Sequence, residues 1–458
     1  MPSHPFDFEI QADIFSTPEM NAIFDEQQRF NRWLEFEGAL AASQSELGII
    51  PVEAAAEINN RAKYKNLDPA TVRECYRKSR NSLIPIIKAL REACRNGHGQ
   101  FVHYGATTQD VLDTGQIMEL RDAFRIIYRD LKKLEESLAT LAVKHSATPM
   151  IGRSHGQQAL PITFGLKCGV WLAENRRHIE RIKNLTPRLL IGQLSGAAGT
   201  MAALGEQGRE VARRTMTRLG LGCSLISWHT SRDNIAEAAN LMAMIAASQE
   251  KIANEIVELG KDEIGELREP APDGAAASST MPHKRNPVFC QRIAVMARQT
   301  RALSGTITEA MIHEHERDGR AIWSEWLAMP QISIYTGTIL NYIKQVIGGL
   351  EIIPENMEKN LKLHGDMVLS EWLLFRLGSS LGKLKAQEIM RDITAEARTS
   401  ARSLKDCLLA DDKTADLLNR DDLAFLDHPE KYIGQAEKII NDLLGEISAQ
   451  QAIDPENL

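Results

Sequence analysis

Proline is missing from two long stretches of this chain, Arg188 to Glu269 and Val288 to Met329. An interior proline removes a helical hydrogen bond and clashes with the preceding turn, so such stretches suit long helices. Within the first, Ile235, Ala239, Met242, Ala246, Ile252, Ile256 and Leu259 recur at helical spacing, and Asp233 is placed to cap the start. A helix of that length exceeds the needs of a small globule and points to a bundle with partner helices. Ala236, Ala238, Ala239, Ala246 and Ala247 would let neighbouring helices approach closely. No internal repeat, low-complexity tract or convincing strand alternation interrupts this pattern, and an all-α fold is expected.

Three regions are expected. Residues 1–112 hold shorter helices, including an apolar-periodic run from Met20 to Leu47 that ends at Gly48 before Pro51. Residues 113–358 hold the long, proline-poor helices, and residues 359–458 hold shorter amphipathic ones such as Ser380 to Leu408. A chain of 458 residues can bury a large core. Long helices with apolar surface to spare usually bury it in an oligomer.

The formal net charge of -7 argues against a nucleic-acid or membrane surface, because phosphate binding usually needs a basic face. It leaves room for a local anion site. Met1 to Glu19 shows no basic start followed by an apolar run, and no stretch approaches bilayer length, so a cytoplasmic protein is expected. Six scattered cysteines without a CxxC pair read as free thiols of a reducing compartment, with no support for a metal.

Three glycine-punctuated segments break the helical pattern, and each is rich in small polar groups. The first runs from Phe101 to Asp110, where Thr107, Thr108 and Gln109 immediately precede a helix beginning near Asp110. Hydroxyls and free amides at a helix N-terminus can cradle a carboxylate, although plain N-capping explains the same residues. In the second, Gly152 to Gln158, His155 sits between small residues on a turn into a helix, where it can act as acid or base near neutral pH. A lone histidine is more often structural. The third, Ala277 to Pro287, sets Ser278 and Ser279 ahead of Lys284 and Asn286, which are pinned between Pro282 and Pro287. Lys284 and Asn286 can grip a carboxylate, and a serine alkoxide would need such positive charge and N–H donors to serve as a base. A solvated basic loop is the plain alternative.

The third segment closely resembles the signature of the fumarase/aspartase superfamily, and the other two match in order and spacing over nearly the whole chain. The resemblance implies a three-region helical subunit whose central helices form the core of a homotetramer. It also implies active sites assembled from the three segments of three different subunits, and chemistry without a cofactor. By position, Ser278 would be the catalytic base, while Ser279, Lys284 and Asn286 would hold the substrate carboxylate and the aci-carboxylate formed after proton loss. His155 resembles the general acid of adenylosuccinate lyases, and Thr107, Thr108 and Gln109 would bind a second carboxylate. Gln157 and Arg317 join the candidate substrate ligands. Arg317 lies in a charged run with His313, His315 and Glu316 that also reads as a solvated face. Arg232 suits a carboxylate or a structural ion pair, and Glu263 and Glu266 suit orienting roles.

The branch is mixed. His103 to Asp113, Gln157 to Gly165, Gln193 to Thr200, Trp228 to Asp233 and Asn81-Ser-Leu-Ile-Pro85 look most like 3-carboxy-cis,cis-muconate lactonizing enzymes, which usually carry a bulky apolar residue in place of His155. Adenylosuccinate lyases keep the histidine, and Phe15 to Met20 and His315 to Asp318 are in their style. Their Arg-Tyr pair, their His-Asp motif and a downstream phosphate-binding arginine are replaced here by Asp13-Ile-Phe15, Arg80-Asn-Ser82 and Trp326. The combination suggests a small polycarboxylate with a C–N bond, an N-substituted aspartate such as iminodisuccinate, that is either epimerised or split to fumarate. Cycloisomerase and adenylosuccinate lyase activities are the alternatives within the superfamily. An inactive structural homologue is the alternative outside enzymes, against which Ser278, Lys284, Asn286 and His155 all stand.

Overall fold

The computed structural model describes residues 4–271, 281, 283–400 and 402–458. Five long helices dominate it: Thr108–Lys144, Phe164–Leu189, Asp233–Leu259, Val288–Glu309 and Gly319–Gly348. The first has 37 residues and, at the usual rise per residue, extends about 55 Å. They pack against one another as a bundle, and the chain is all-α. The alanine face behaves as its composition implies, with Ala236, Ala238, Ala239 and Ala246 buried and Ala247 half-buried.

Helix ends depart from the sequence reading in instructive ways. The second proline-free stretch is two helices, broken from Ala310 to Asp318. Long helices also run through prolines that the proline-free stretches leave out, Pro187 near the end of one and Pro330 in the body of another. Asp233 does not cap its helix: it is the first helical residue, Arg232 is the N-cap, and the Asp233 carboxylate accepts from Ser231 Oγ at 3.1 Å. The Met20–Leu47 run is split into Pro18–Ile23 and Glu26–Glu46, because the Asp25 carboxylate caps a new start by accepting from the N–H groups of Gln27 and Gln28.

Most buried apolar side chains form one continuous core through the long helices. A second cluster lies among the C-terminal helices, from Leu361 to Leu426, and takes in Ile151 from outside that region. Ile151 belongs to a β-hairpin, Pro149–Ser154 paired with Gln157–Thr163, which the absence of clean alternation had hidden. The other strands of the described residues are two-residue pairs.

Candidate active site

Asp110 organises the first segment. Thr107 is the N-cap of the Thr108–Lys144 helix, so Thr108 and Gln109 already lie in its first turn, two residues earlier than the sequence suggested. The Asp110 carboxylate is fully buried and accepts from the N–H groups of Thr107 (3.0 Å), Ser195 (2.9 Å) and Gly196 (3.0 Å). His229 Nε2 is 3.0 Å from the same carboxylate. Gln109 is buried too: its amide donates to the His229 carbonyl at 2.8 Å, and its Oε1 has no partner among the described residues. Gln193 completes the frame. Its backbone N–H donates to Thr114 Oγ1, its carbonyl accepts from that hydroxyl, and its Oε1 accepts from the Trp228 N–H. The fragments around Gln193 and Trp228 therefore wrap the first turns of one helix and leave Thr107 and Thr108 half-exposed at its positive end.

Beneath this frame lies Arg232. It is fully buried, with Nε and one terminal nitrogen on Glu325 at 2.7 and 2.5 Å and the other 3.0 Å from Asp113. Its planar face lies over the Trp228 ring, 4.9 Å from the centroid. Arg232 is thus a structural ion pair and not a free substrate ligand. Burial pushes the Asp113 carboxyl above its ordinary range against the pull of Arg232. The Ala310–Asp318 break carries Arg317 back to the first segment, where it donates to Thr107 Oγ1 at 3.3 Å and to the Ala197 carbonyl at 2.9 Å. An exposed guanidinium and two threonine hydroxyls at a helix N-terminus make a cationic cradle open to solvent, suited to a carboxylate.

His155 is not on a turn into a helix. It occupies the tip of the hairpin with Gly156, between the paired residues Ser154 and Gln157. Both tip residues have positive φ (53° and 76°), as the tight two-residue hairpin turns demand. Glycine adopts this backbone freely, whereas for histidine it costs about 1 kcal/mol. The His155 and Gln157 side chains are exposed. The hairpin is anchored below its tip by Arg153, which forms two bonds to Glu266 at 2.6 and 2.9 Å. Glu266 is fully buried and also accepts from Asn360 at 2.8 Å, so it orients its partners, while Glu263 is exposed. Three residues on, Glu269 accepts from the N–H groups of Phe289 and Cys290 at 2.9 and 2.8 Å, capping the helix that follows the third segment.

In that third segment Ser278 and Ser279 lie outside the described residues. Lys284 and Asn286 are exposed, in a turn closed by the Lys284 N–H on the Met281 carbonyl. Among the described residues, no hydrogen bond or ion pair joins Thr107, Thr108 or Gln109 to His155, Gln157, Lys284 or Asn286. Only Thr107 and Arg317 meet directly. Glu266 takes the orienting role expected of it, whereas the framing roles of Asp110 and Gln193 escaped the reading of the sequence because each acts on backbone groups or on a distant partner, which no local motif announces.

A family described as lyase matches residues 15–301. The N-acetyl-S-(2-succino)cysteine lyase of Dickeya dadantii is 38% identical over 444 residues, covering 97% of this chain and 98% of that protein. The adenylosuccinate lyase of Methanothermobacter thermautotrophicus is 37% identical over 449 residues, covering 97% and 99%. The crystal structure of a 3-carboxy-cis,cis-muconate lactonizing enzyme from Pseudomonas putida superposes with a TM-score of 0.87 at 33% identity, covering 95% of this chain and 98% of that one.

Proposed function

Because the chain belongs to the lyase family of the fumarase/aspartase superfamily, we propose that it releases fumarate from a succinyl group carried on nitrogen or sulfur. Ser278 takes a proton from the carbon beside one carboxylate. The electron pair left behind forms the C=C bond, the carbon–heteroatom bond breaks, and the departing heteroatom takes a proton from His155. Lys284, Asn286 and Ser279 meet the doubly negative aci-carboxylate, which would otherwise make so weak a carbon acid unreactive. Thr107, Thr108 and Arg317 hold the second carboxylate, with Gln109 fixing the loop behind them and Gln157 beside the acid. No cofactor takes part.

The observation that carries this reading is Arg317 seated on Thr107 and Ala197 at a helix N-terminus, a carboxylate cradle built from two distant parts of the chain. A nucleotide substrate is disfavoured by Trp326. Its ring lies stacked on Trp33, 6.0 Å between centroids, with Arg29 over its face, and it carries no positive charge to meet a phosphate. The assembly is read as a homotetramer with shared sites, supported by exposed apolar side chains on the long helices, among them Trp323 at 69% and Leu327 at 72%.

The test is proton NMR of the purified enzyme in heavy water with N-acetyl-S-(2-succino)cysteine, iminodisuccinate and a carboxymuconate. Fumarate from either of the first two is the expected result, and Ser278→Ala should abolish it while the assembly stays intact. Deuterium entering the α-position of iminodisuccinate with exchange of diastereomers and no fumarate would establish the second reading, an epimerase, in which His155 reprotonates the opposite face. Lactone signals from the carboxymuconate alone would overturn both.

A further inference from the structure

A cavity of about 1050 Å³ opens beside the hairpin tip. One wall is Gly156, Gln157 and Gln158, and the opposite wall is built by the C-terminal helices, with His364, Glu371 and Arg398. We propose that this cavity receives the leaving arm of the substrate, and that it selects an arm bearing a carboxylate next to an N–H group, as in an N-acylated amino acid. The proposal rests on the fumarate-releasing reading above.

Three observations carry it. The first is place. If His155 protonates the departing heteroatom, the atoms beyond that heteroatom must lie along the hairpin, and the cavity begins at the residue after His155. The second is charge. The side chains of Arg398 and His364 make no hydrogen bond or ion pair among the described residues, whereas the Glu371 carboxylate already accepts from the Tyr432 hydroxyl at 2.9 Å. Arg398 is therefore an uncommitted cation on that wall, and an arginine fork suits a carboxylate. The third is an acceptor. Gln158 lines the cavity, and its Oε1 is buried with no partner among the described residues. A buried amide oxygen left in this way favours a ligand that brings an N–H donor.

The experiment compares fumarate release from N-acetyl-S-(2-succino)cysteine with release from S-(2-succino)-N-acetylcysteamine, which differs by lacking the arm carboxylate. Wild-type enzyme should prefer the first in kcat/KM by about tenfold or more, the value of a charge-assisted hydrogen bond. Arg398→Gln, an exposed position, should collapse that preference to within about twofold. An absent preference, or one that survives the substitution, would overturn the subsite while leaving fumarate release standing. If the wild-type enzyme splits neither compound, the subsite is judged by calorimetry with N-acetylcysteine and N-acetylcysteamine on the same two proteins, while the fumarate reading is judged by iminodisuccinate. Tighter binding of the carboxylate that Arg398→Gln removes supports the subsite, and equal binding overturns it.

Discussion

At the scale of single residues, two buried polar groups set most of the local behaviour. Asp110 satisfies three backbone donors and faces His229 with no exposure to solvent. Asp110→Ala strips them all of their acceptor at once, so chemical denaturation should show a loss of about 3–5 kcal/mol together with loss of turnover. His178 is the second. It lies between Ser248 Oγ at 2.7 Å and Arg181 at 3.4 Å, with Glu174 and Lys251 beyond the serine. Burial, helped by Arg181, pushes its imidazole down to about 4. The unfolded chain, with an ordinary histidine, therefore binds the proton first. Stability that is fully present above the ordinary histidine value is lost as pH falls from there toward 4. Thermal melts should drop over that window, and His178→Gln should flatten the drop.

At the scale of elements, the helices were legible and the hairpin was not. Apolar spacing and absent prolines carry over directly from residues to helices because both act through neighbours in the chain. The hairpin has only two short strands, and the register shifts between Ile151 and Arg153, which breaks the alternation that would have marked it. Prolines inside helices were unreadable for a related reason: tertiary packing around Pro330 outweighs a lost backbone bond that local rules treat as decisive. Ser278 and Lys284 drew a chemical expectation because their motif is contiguous, whereas Asp110 draws its meaning from partners far away in sequence. Glu266 yields a prediction at this scale. Glu266→Gln loosens Arg153 and tilts the hairpin under His155, so kcat should fall by about tenfold to a hundredfold with KM little altered. A purely structural role would instead lower the melting temperature and leave kcat per folded enzyme unchanged.

At the scale of the whole molecule, the exposed apolar side chains define what one chain leaves unfinished. Trp323 and Leu327 are four residues apart on one helix and so share a face, as Val288 and Val295 do two turns apart on another. Single exposed apolar residues are ordinary, but aligned pairs on long helices call for a partner surface. Leu327→Asp should leave helical content intact by circular dichroism, shift the protein to smaller species in size-exclusion chromatography, and abolish turnover with the loss of assembly. No helix among the described residues is long and apolar enough to cross a membrane.

The hairpin tip also says something about ancestry. His155 makes no hydrogen bond among the described residues, while the strands beneath it are fastened by Arg153 and Glu266. The residue at that turn can be exchanged in descent without unsettling the fold, provided that it tolerates a left-handed backbone. On the role proposed for His155, keeping this mount and changing the one group it carries would exchange a proton-donating tip for an apolar one.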